Sequence, residues 1–318
     1  MILITGSTGF IGINLLVKLS KNKVIALYRS EEKKKDAQKF LETTDSCIEN
    51  IIWKKSNTNN VASLEDCFKD ITHVYHCSGL ISFSVSDKEK LNNNNTESTK
   101  NIVNLCIDKK IQKLVYISSI SALGNEINNR KINESSNYEY TKHVTPYSFS
   151  KYNSEIEVWR GIEEGLKAVI INPGVVLGES IKNDAPEVKL RKTIKKYPFC
   201  FFTRGGSGFV NINDVIKLSI KLMESPIYNE RFILVAKNYS YLSIMKKLMK
   251  KLKINKVLIP VEKQFIYCLY YLDFIFSLIG IKNRYMSIGL IYSLIDKKKY
   301  DGSKIIKYFP EFNYSKLF

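Results

Sequence analysis

The stretch Thr5-Gly6-Ser7-Thr8-Gly9-Phe10-Ile11-Gly12 limits the folds open to this chain more than any other segment. Its glycines at 6, 9 and 12 follow the apolar run Met1–Thr5 and open an amphipathic pattern from Phe10 to Ser20. Strand, tight turn and helix in that order are what a bound dinucleotide needs. The first glycine makes the turn, the second admits the pyrophosphate close to the backbone, and the third lets helix and strand pack tightly. The helix start then offers free N–H groups and the positive end of its dipole. With 15 glycines in 318 residues, the spacing arises by chance only about 0.03 times per chain. The motif therefore predicts cofactor binding at Gly6, Thr8, Gly9, Phe10, Ile11 and Gly12.

The rest of the first half alternates short β-branched runs with helical patterns, as a parallel sheet flanked by helices requires. Strands are expected over Met1–Thr5, Lys23–Tyr28, Ile51–Lys55, His73–Cys77, Lys113–Ser118 and Ala168–Asn172. Helices are expected over Phe10–Ser20, Glu31–Glu42, Ser63–Lys69, Lys88–Ile107 and Tyr147–Glu164. The polar stretch Asn125–Lys142 reads as a long loop. The predicted class is α/β, a Rossmann-type doubly wound parallel sheet with a smaller C-terminal substrate-binding lobe. Residues 1–172 would form the NADP-binding Rossmann domain. Residues 173–318 would be mainly the lobe, with some segments returning to the sheet.

Cofactor choice is written at the end of the second strand, where an acid usually binds the ribose 2′-OH of NAD. This chain reads Leu27-Tyr28-Arg29-Ser30 there. No carboxylate stands at the strand end to repel a 2′-phosphate, and Arg29 can pair with one bidentately. NADP(H) is the expected cofactor, with NAD(H) left open.

Y-x-x-x-K alone carries no information here, since 19 tyrosines among so many lysines give about 2.5 chance matches. Three occur: Tyr138/Lys142, Tyr147/Lys151 and Tyr300/Lys304. Context selects the second. Pro146 is a good first helical position, so Tyr147 and Lys151 stack on one helix face at i, i+4. A lysine there is expected to lower the phenol's pKa and suit it to proton transfer at a carbonyl oxygen. Val115-Tyr116-Ile117-Ser118-Ser119-Ile120-Ser121 places hydroxyls at the carboxyl end of a parallel strand, where ligands bind.

Together the glycine triad, the strand-end serine pair and Tyr147/Lys151 resemble the extended short-chain dehydrogenase/reductases, the NAD-dependent epimerase/dehydratase family. The nearest branch is the dihydroflavonol-reductase-like and hydroxysteroid-dehydrogenase-like members. Asn95-Thr96-Glu97-Ser98-Thr99-Lys100-Asn101 is similar to that family's N-x-x-G-T-x-N helix, and Asn172-Pro173-Gly174-Val175-Val176-Leu177-Gly178 to its R-P-x-x-x-x-G loop. Phe209-Val210-Asn211-Ile212-Asn213-Asp214-Val215 resembles its F-V-x-V-x-D-V segment. The resemblance implies that Ser119 bonds the substrate oxygen, Tyr147 transfers the proton, Lys151 holds the nicotinamide ribose, and Asn95 completes a proton relay. It also implies that Ser78, Pro173 and Val176 line the cofactor. Departures are Ser98 at the usual glycine, Asn172 at the arginine before Pro173, and Asn57 where an adenine-contacting acid is common. Sugar dehydratases of the family carry Thr-Asp-Glu where this chain has Ser119-Ile120-Ser121, which disfavours that activity.

A net charge of +18 raises the question of nucleic acid. Only 7 of the 49 basic residues are arginine, and the lysines interleave with Glu, as in Glu31-Glu32-Lys33-Lys34-Lys35. AT-rich codons produce such a composition without a polyanionic partner, and a solvated face looks this way. The six cysteines show no C-x-x-C pair, so no metal site and no disulfide framework is expected. No signal peptide is visible, and the chain reads as cytoplasmic. Phe265–Ile281 is strongly apolar but too short to span a membrane, so an amphipathic lobe helix is expected, with peripheral membrane contact as the other reading. A homodimer is left open. The expected activity is an NADP(H)-dependent oxidoreductase interconverting a carbonyl compound and an alcohol. A nucleotide-sugar epimerase using the same cofactor is the alternative, and a non-catalytic NADP-binding regulator is a third reading.

Overall fold

The first strand, β1 (Ile2–Thr5), lies near the middle of a seven-stranded sheet. The computed structural model describes residues 1–124, 131–141, 143–178, 185–281 and 283–318. Around β1 stand β2 (Val24–Tyr28), β3 (Ile51–Lys55), β4 (His73–His76), β5 (Lys113–Ile117) and β6 (Ala168–Pro173). Five later strands fill the C-terminal half with β7 (Val175–Leu177): β8 (Phe199–Phe202), β9 (Gly206–Asn211), β10 (Glu230–Leu234), β11 (Lys237–Ser240) and β12 (Val257–Pro260). The main sheet runs β10-β6-β5-β4-β1-β2-β3, parallel throughout. The chain leaves β1 toward β3 and then crosses back to lay β4 on β1's other side. That reversal opens a crevice at the carboxyl ends of β1 and β4.

Both faces of these strands are apolar because both are covered. On one face Ile4, Ala26, Tyr75, Val115 and Val169 pack against α1 (Phe10–Leu19) and α2 (Glu31–Glu42). The opposite face packs on α3 (Val61–Glu65) and, beyond α4 (Lys88–Leu91), on α5 (Ser98–Asp108) and α6 (Pro146–Glu163). The six expected strands are present with ends moved by a residue or so. The expected single helix over Lys88–Ile107 is instead α4, a π-helical turn over Asn92–Glu97, and α5. Helix α3 begins earlier than expected because Asn60 caps it, accepting from Ser63 N at 3.2 Å.

After Pro173 come α7 (Pro186–Lys196), α8 (Ile212–Glu224), α9 (Tyr241–Leu252), α10 (Lys263–Leu278), α11 (Ile288–Ile295) and α12 (Ser303–Tyr308). Strand β10 returns to the main sheet beside β6, and α8 with Phe309 and Phe312 shares the core of α1. Strands β11, β9 and β7 form a second sheet, and β12 with β8 a third. Part of the expected loop, residues 125–130 and Lys142, lies outside the described residues. Within the remainder, Ile132 bridges to Tyr300. A helix forms over the apolar stretch as expected, α10, with Ile266 and Asp273 as its buried positions.

Candidate active site

The predicted site residues sit at or just beyond the carboxyl ends of five strands, β1, β2, β4, β5 and β6, except Phe10, Ile11 and Gly12 in the first turn of α1, Asn95, Val176 and the Tyr147/Lys151 pair. At β1, Gly6 holds φ +66°, and a Cβ there would lie 2.7 Å from Ser78 N. Only glycine fits that turn. A Cβ on Gly12 would stand 2.2 Å from Gly6 O, so the loop and helix α1 close on each other through bare backbone. Gly9 begins α1 with no side-chain cap and no acid in the first turn. The first-turn N–H groups therefore lack a side-chain cap and stay available to an anion. These features fit a pyrophosphate.

At β2, Arg29 is exposed and donates from Nη1 to Asn94 Oδ1 at 2.6 Å. The next acid, Glu31, accepts from Tyr28 OH at 2.9 Å and lies 3.6 Å from Lys55 Nζ, so it is engaged away from Arg29. At β4, Ser78 N donates to Thr5 Oγ1 at 3.2 Å, which pins it against the glycine loop.

At β5 the two strand-end serines have parted company. Ser118 is buried and donates to Glu155 Oε1, a carboxylate whose other oxygen pairs with Arg231 at 3.0 Å. Ser119 caps a short 3-10 turn and accepts from Ser121 N at 3.1 Å and Ser121 Oγ at 2.9 Å. Asn172, at β6, donates to Ser119 O at 2.8 Å and to Glu155 Oε1 at 2.5 Å, tying both halves together. Pro173 ends β6, and the nearly buried Val176 follows in β7.

Helix α6 delivers the pair selected from the sequence. Thr145 caps it, accepting from Ser148 N at 3.0 Å, and Pro146 occupies its first turn. The Tyr147 hydroxyl lies close to the Ser119 and Ser121 side chains and within the field of Lys151. Its ring meets Phe83 edge-on at 6.0 Å. Burial pushes the Tyr147 phenol above its ordinary value, while Lys151 and the two serines pull it down without cancelling that. The expected lowering by Lys151 is thus outweighed. Desolvation of the phenolate wins, partly because the Lys151 ammonium donates elsewhere, to Tyr116 OH at 2.8 Å and Ile117 O at 3.0 Å. Lys151 itself is buried; burial opposes its charge, but Tyr116 and Tyr147 more than compensate and raise it.

Asn95 is buried in the π-helical turn and acts as a clamp. It accepts from Leu80 N at 2.7 Å and donates to Leu80 O at 3.0 Å and Ser150 Oγ at 2.8 Å. A Cβ on Gly79 would begin 3.5 Å from Asn95 Oδ1 and 3.8 Å from Lys151 Nζ, so that glycine keeps the space between them open.

Sequence reasoning missed Tyr116 and His76. Tyr116 stacks on His76 at 5.4 Å and seats Lys151. His76 bonds Thr5 Oγ1 at 2.6 Å and Thr99 Oγ1 at 3.0 Å, and burial with Lys151 nearby pushes it down to about 3. An aromatic in a strand reads as core, so nothing local marks either residue. Of the other Y-x-x-x-K copies, Lys304 is spent on Glu230 at 2.5 Å and Arg231 O at 2.9 Å. Tyr138 stacks on Tyr152 at 3.9 Å, close to the start of α6, while Lys142 lies outside the described residues.

A Synechocystis sp. protein provisionally named dihydroflavonol 4-reductase is 26% identical over 216 residues, 67% of this chain and 60% of its own length. The chain thus spans less than two thirds of that relative. ADP-L-glycero-D-manno-heptose-6-epimerase of Brachyspira hyodysenteriae is 26% identical over 269 residues, 74% of this chain and 79% of that one. Among solved structures, UDP-glucuronic acid 4-epimerase from Bacillus cereus, in complex with UDP-glucuronic acid and NAD, superposes with a TM-score of 0.76. It is 19% identical and covers 99% of this chain and 95% of its own. A dTDP-glucose 4,6-dehydratase from Streptomyces venezuelae, with NAD bound, gives 0.78 at 14% identity, covering 99% and 92%. Residues 2–230 match the NAD dependent epimerase/dehydratase family, and the chain belongs to it, an enzyme of the extended short-chain dehydrogenase/reductase type.

Proposed function

We propose that the protein is an NADP(H)-dependent oxidoreductase interconverting a carbonyl compound and an alcohol, with Tyr147 as general acid/base. The observation that carries this reading is the Tyr147 hydroxyl set close to Ser119 and Ser121 and to the buried ammonium of Lys151, which Tyr116 OH and Ile117 O hold at the carboxyl edge of the sheet. A nicotinamide, when bound, supplies or accepts the hydride. The chain's own residues do the rest. Ser119 offers its hydroxyl to the substrate oxygen. Tyr147, kept protonated by its burial, donates a proton to that oxygen during reduction and takes one back during oxidation. Lys151 stabilises the phenolate left behind, and Tyr116 with the Ile117 carbonyl fixes its ammonium. Gly6, Gly9 and Gly12 with the start of α1 would hold the pyrophosphate, flanked by Thr8, Phe10, Ile11, Ser78, Pro173 and Val176.

Arg29 supports NADP(H) over NAD(H). No ion pair between Arg29 and a carboxylate occurs among the described residues, and Asn94 takes one of its five donors. NADPH should bind about tenfold tighter than NADH, about 1.4 kcal/mol, and Arg29→Ala should remove most of that preference. Titration of both cofactors by fluorescence checks it, and equal affinities in the unmodified protein would defeat it.

A nucleotide-sugar epimerase is the second reading, favoured by the Brachyspira relative, whose named activity is an epimerisation. The two separate in one assay. Across a panel of carbonyl compounds a reductase consumes NADPH in step with product. An epimerase interconverts a nucleotide sugar and leaves bulk NADPH unchanged, and that outcome would replace the first reading.

A further inference from the structure

Helix α10 is built inside out. Its buried positions are Ile266 and Asp273, whereas Phe265, Leu269, Leu272, Ile275, Phe276 and Leu278 are exposed, Phe265 by 58% and Leu278 by 68%. Between Gln264 and Ile281 the one charged residue is Asp273. It is 3% exposed and turned inward, accepting from Tyr285 N at 3.0 Å and Met286 N at 2.8 Å. The exposed side chains from Phe265 to Leu278 are therefore uncharged and mostly apolar, with Arg284 lying over the Tyr270 and Phe274 rings. An exposed apolar surface of this extent marks a contact with something else.

A second apolar surface adjoins it. Val257 pairs with Phe199 and Ile259 with Phe201, so these four share one face of the β8–β12 pair. Phe199, Phe201 and Val257 are exposed on it while Cys200 is buried behind. Two residues separate β12 from α10, and they are tied down by Val261 N to Phe202 O at 2.8 Å and Arg204 to Glu262 at 2.6 Å. Apart from Arg284, charge flanks these surfaces along the chain. From Lys246 to Lys263 there are seven lysines and one acid, Glu262, already paired with Arg204.

We propose that α10 and the outer face of the β8–β12 pair dock the protein on an anionic lipid bilayer. The helix lies in the plane of the headgroups with its apolar side in the acyl boundary. At 16 residues it is about 24 Å long, and no helix among the described residues is long and apolar enough to cross a membrane. An apolar face, tyrosines at the polar boundary and flanking lysines are the makings of an interfacial helix. Charge decides between a bilayer and a second copy of the chain. A two-fold contact here would bring the lysine-rich 246–263 segments of two chains of net charge +18 together, whereas anionic headgroups attract them. The docked face also borders the candidate site. The loop after α10 bonds Val85 N and Ser86 N through Tyr285 O at 3.3 Å and Arg284 O at 3.2 Å, two residues from the Phe83 that meets Tyr147. The proposal does not depend on which reaction the site performs.

The test uses the full chain and sedimentation with vesicles of phosphatidylcholine alone or doped with phosphatidylglycerol. Binding is expected to the doped vesicles and to weaken as salt rises. Leu272→Asp with Ile275→Asp should cut it by at least roughly tenfold, since burying each such side chain contributes about that factor. Thermal midpoint and cofactor binding should hold, because both positions are exposed. Leu278→Asp, at a still more exposed position, repeats the test should the pair misfold. Cys268, on the exposed side of α10, takes a polarity-sensitive dye, whose emission should shift to the blue on vesicle binding without any further change to the chain. Three results would overturn the proposal: no binding to doped vesicles, binding unmoved by these variants, or a stable dimer in solution that Leu272→Asp with Ile275→Asp dissolves and that ignores vesicles.

Discussion

Tyr147→Phe should leave folding and NADPH binding intact while turnover falls by roughly 10²-fold or more, the scale expected for losing a positioned acid. The ring stays against Phe83, and only the hydroxyl beside Ser119 and Lys151 is lost. Tyr138→Phe and Tyr300→Phe should stay within a few-fold of the parent. Tyr138 keeps its stack on Tyr152, and Ser148 keeps the Ser121 carbonyl at 2.6 Å. Lys151→Met should weaken both turnover and cofactor binding. Because burial raises the Tyr147 pKa, its proton persists through neutral pH. Carbonyl reduction should therefore hold across that range and decline only in alkali, while alcohol oxidation, which needs the phenolate, should rise with pH. Steady-state rates in both directions across pH check this, and Tyr147→Phe should flatten both curves. Full activity in Tyr147→Phe beside a dead Tyr138→Phe would remove Tyr147 from its assigned role.

Gly12→Val should be the most damaging change outside the tyrosine. Its Cβ would sit 2.2 Å from Gly6 O and 2.9 Å from Ser7 Cα, both backbone, so no side chain can rotate away. Helix α1 must move by an ångström or so. Overpacking of this kind costs about 1–3 kcal/mol of stability. The larger effect falls on the cofactor, because the displaced N–H groups no longer converge on the pyrophosphate. A misplacement of about 1 Å lowers function by roughly 10²-fold. Calorimetric titration with NADPH at a temperature where the variant remains folded measures the loss, and retained affinity would mean that the cofactor does not sit on α1.

The strands and helices of the first half were legible because each carries its period over several residues and both sheet faces demand apolar residues. Helix α6 was legible from Pro146, which the structure finds in its first turn under the Thr145 cap. The π-helical turn was not. It inserts one residue into a helical register, and Asn92-Asn93-Asn94-Asn95 gives no hint which asparagine will clamp Leu80 to Ser150. Tyr116 and His76 are likewise invisible, since their importance lies in contacts with Lys151, Thr5 and Thr99 across other elements. Helix α10 shows the limit of periodicity. An apolar run tells that a face will leave water, and the direction in which it leaves depends on a single buried carboxylate, Asp273, anchoring the opposite side.

The placement of β1 has a consequence for how the molecule comes to exist. Strand β1 is made before its partner β4, whose His76 meets Thr5 from 71 residues away. They also share a core with Phe309 and Phe312. Asp214 then fastens Ser315 from 101 residues away. Long-range parallel pairing of this kind slows folding, because loops must close before contacts reward them. A nascent chain therefore carries an apolar strand and an unfilled glycine turn until these partners are made, and the native core closes only after the last of these phenylalanines has left the ribosome.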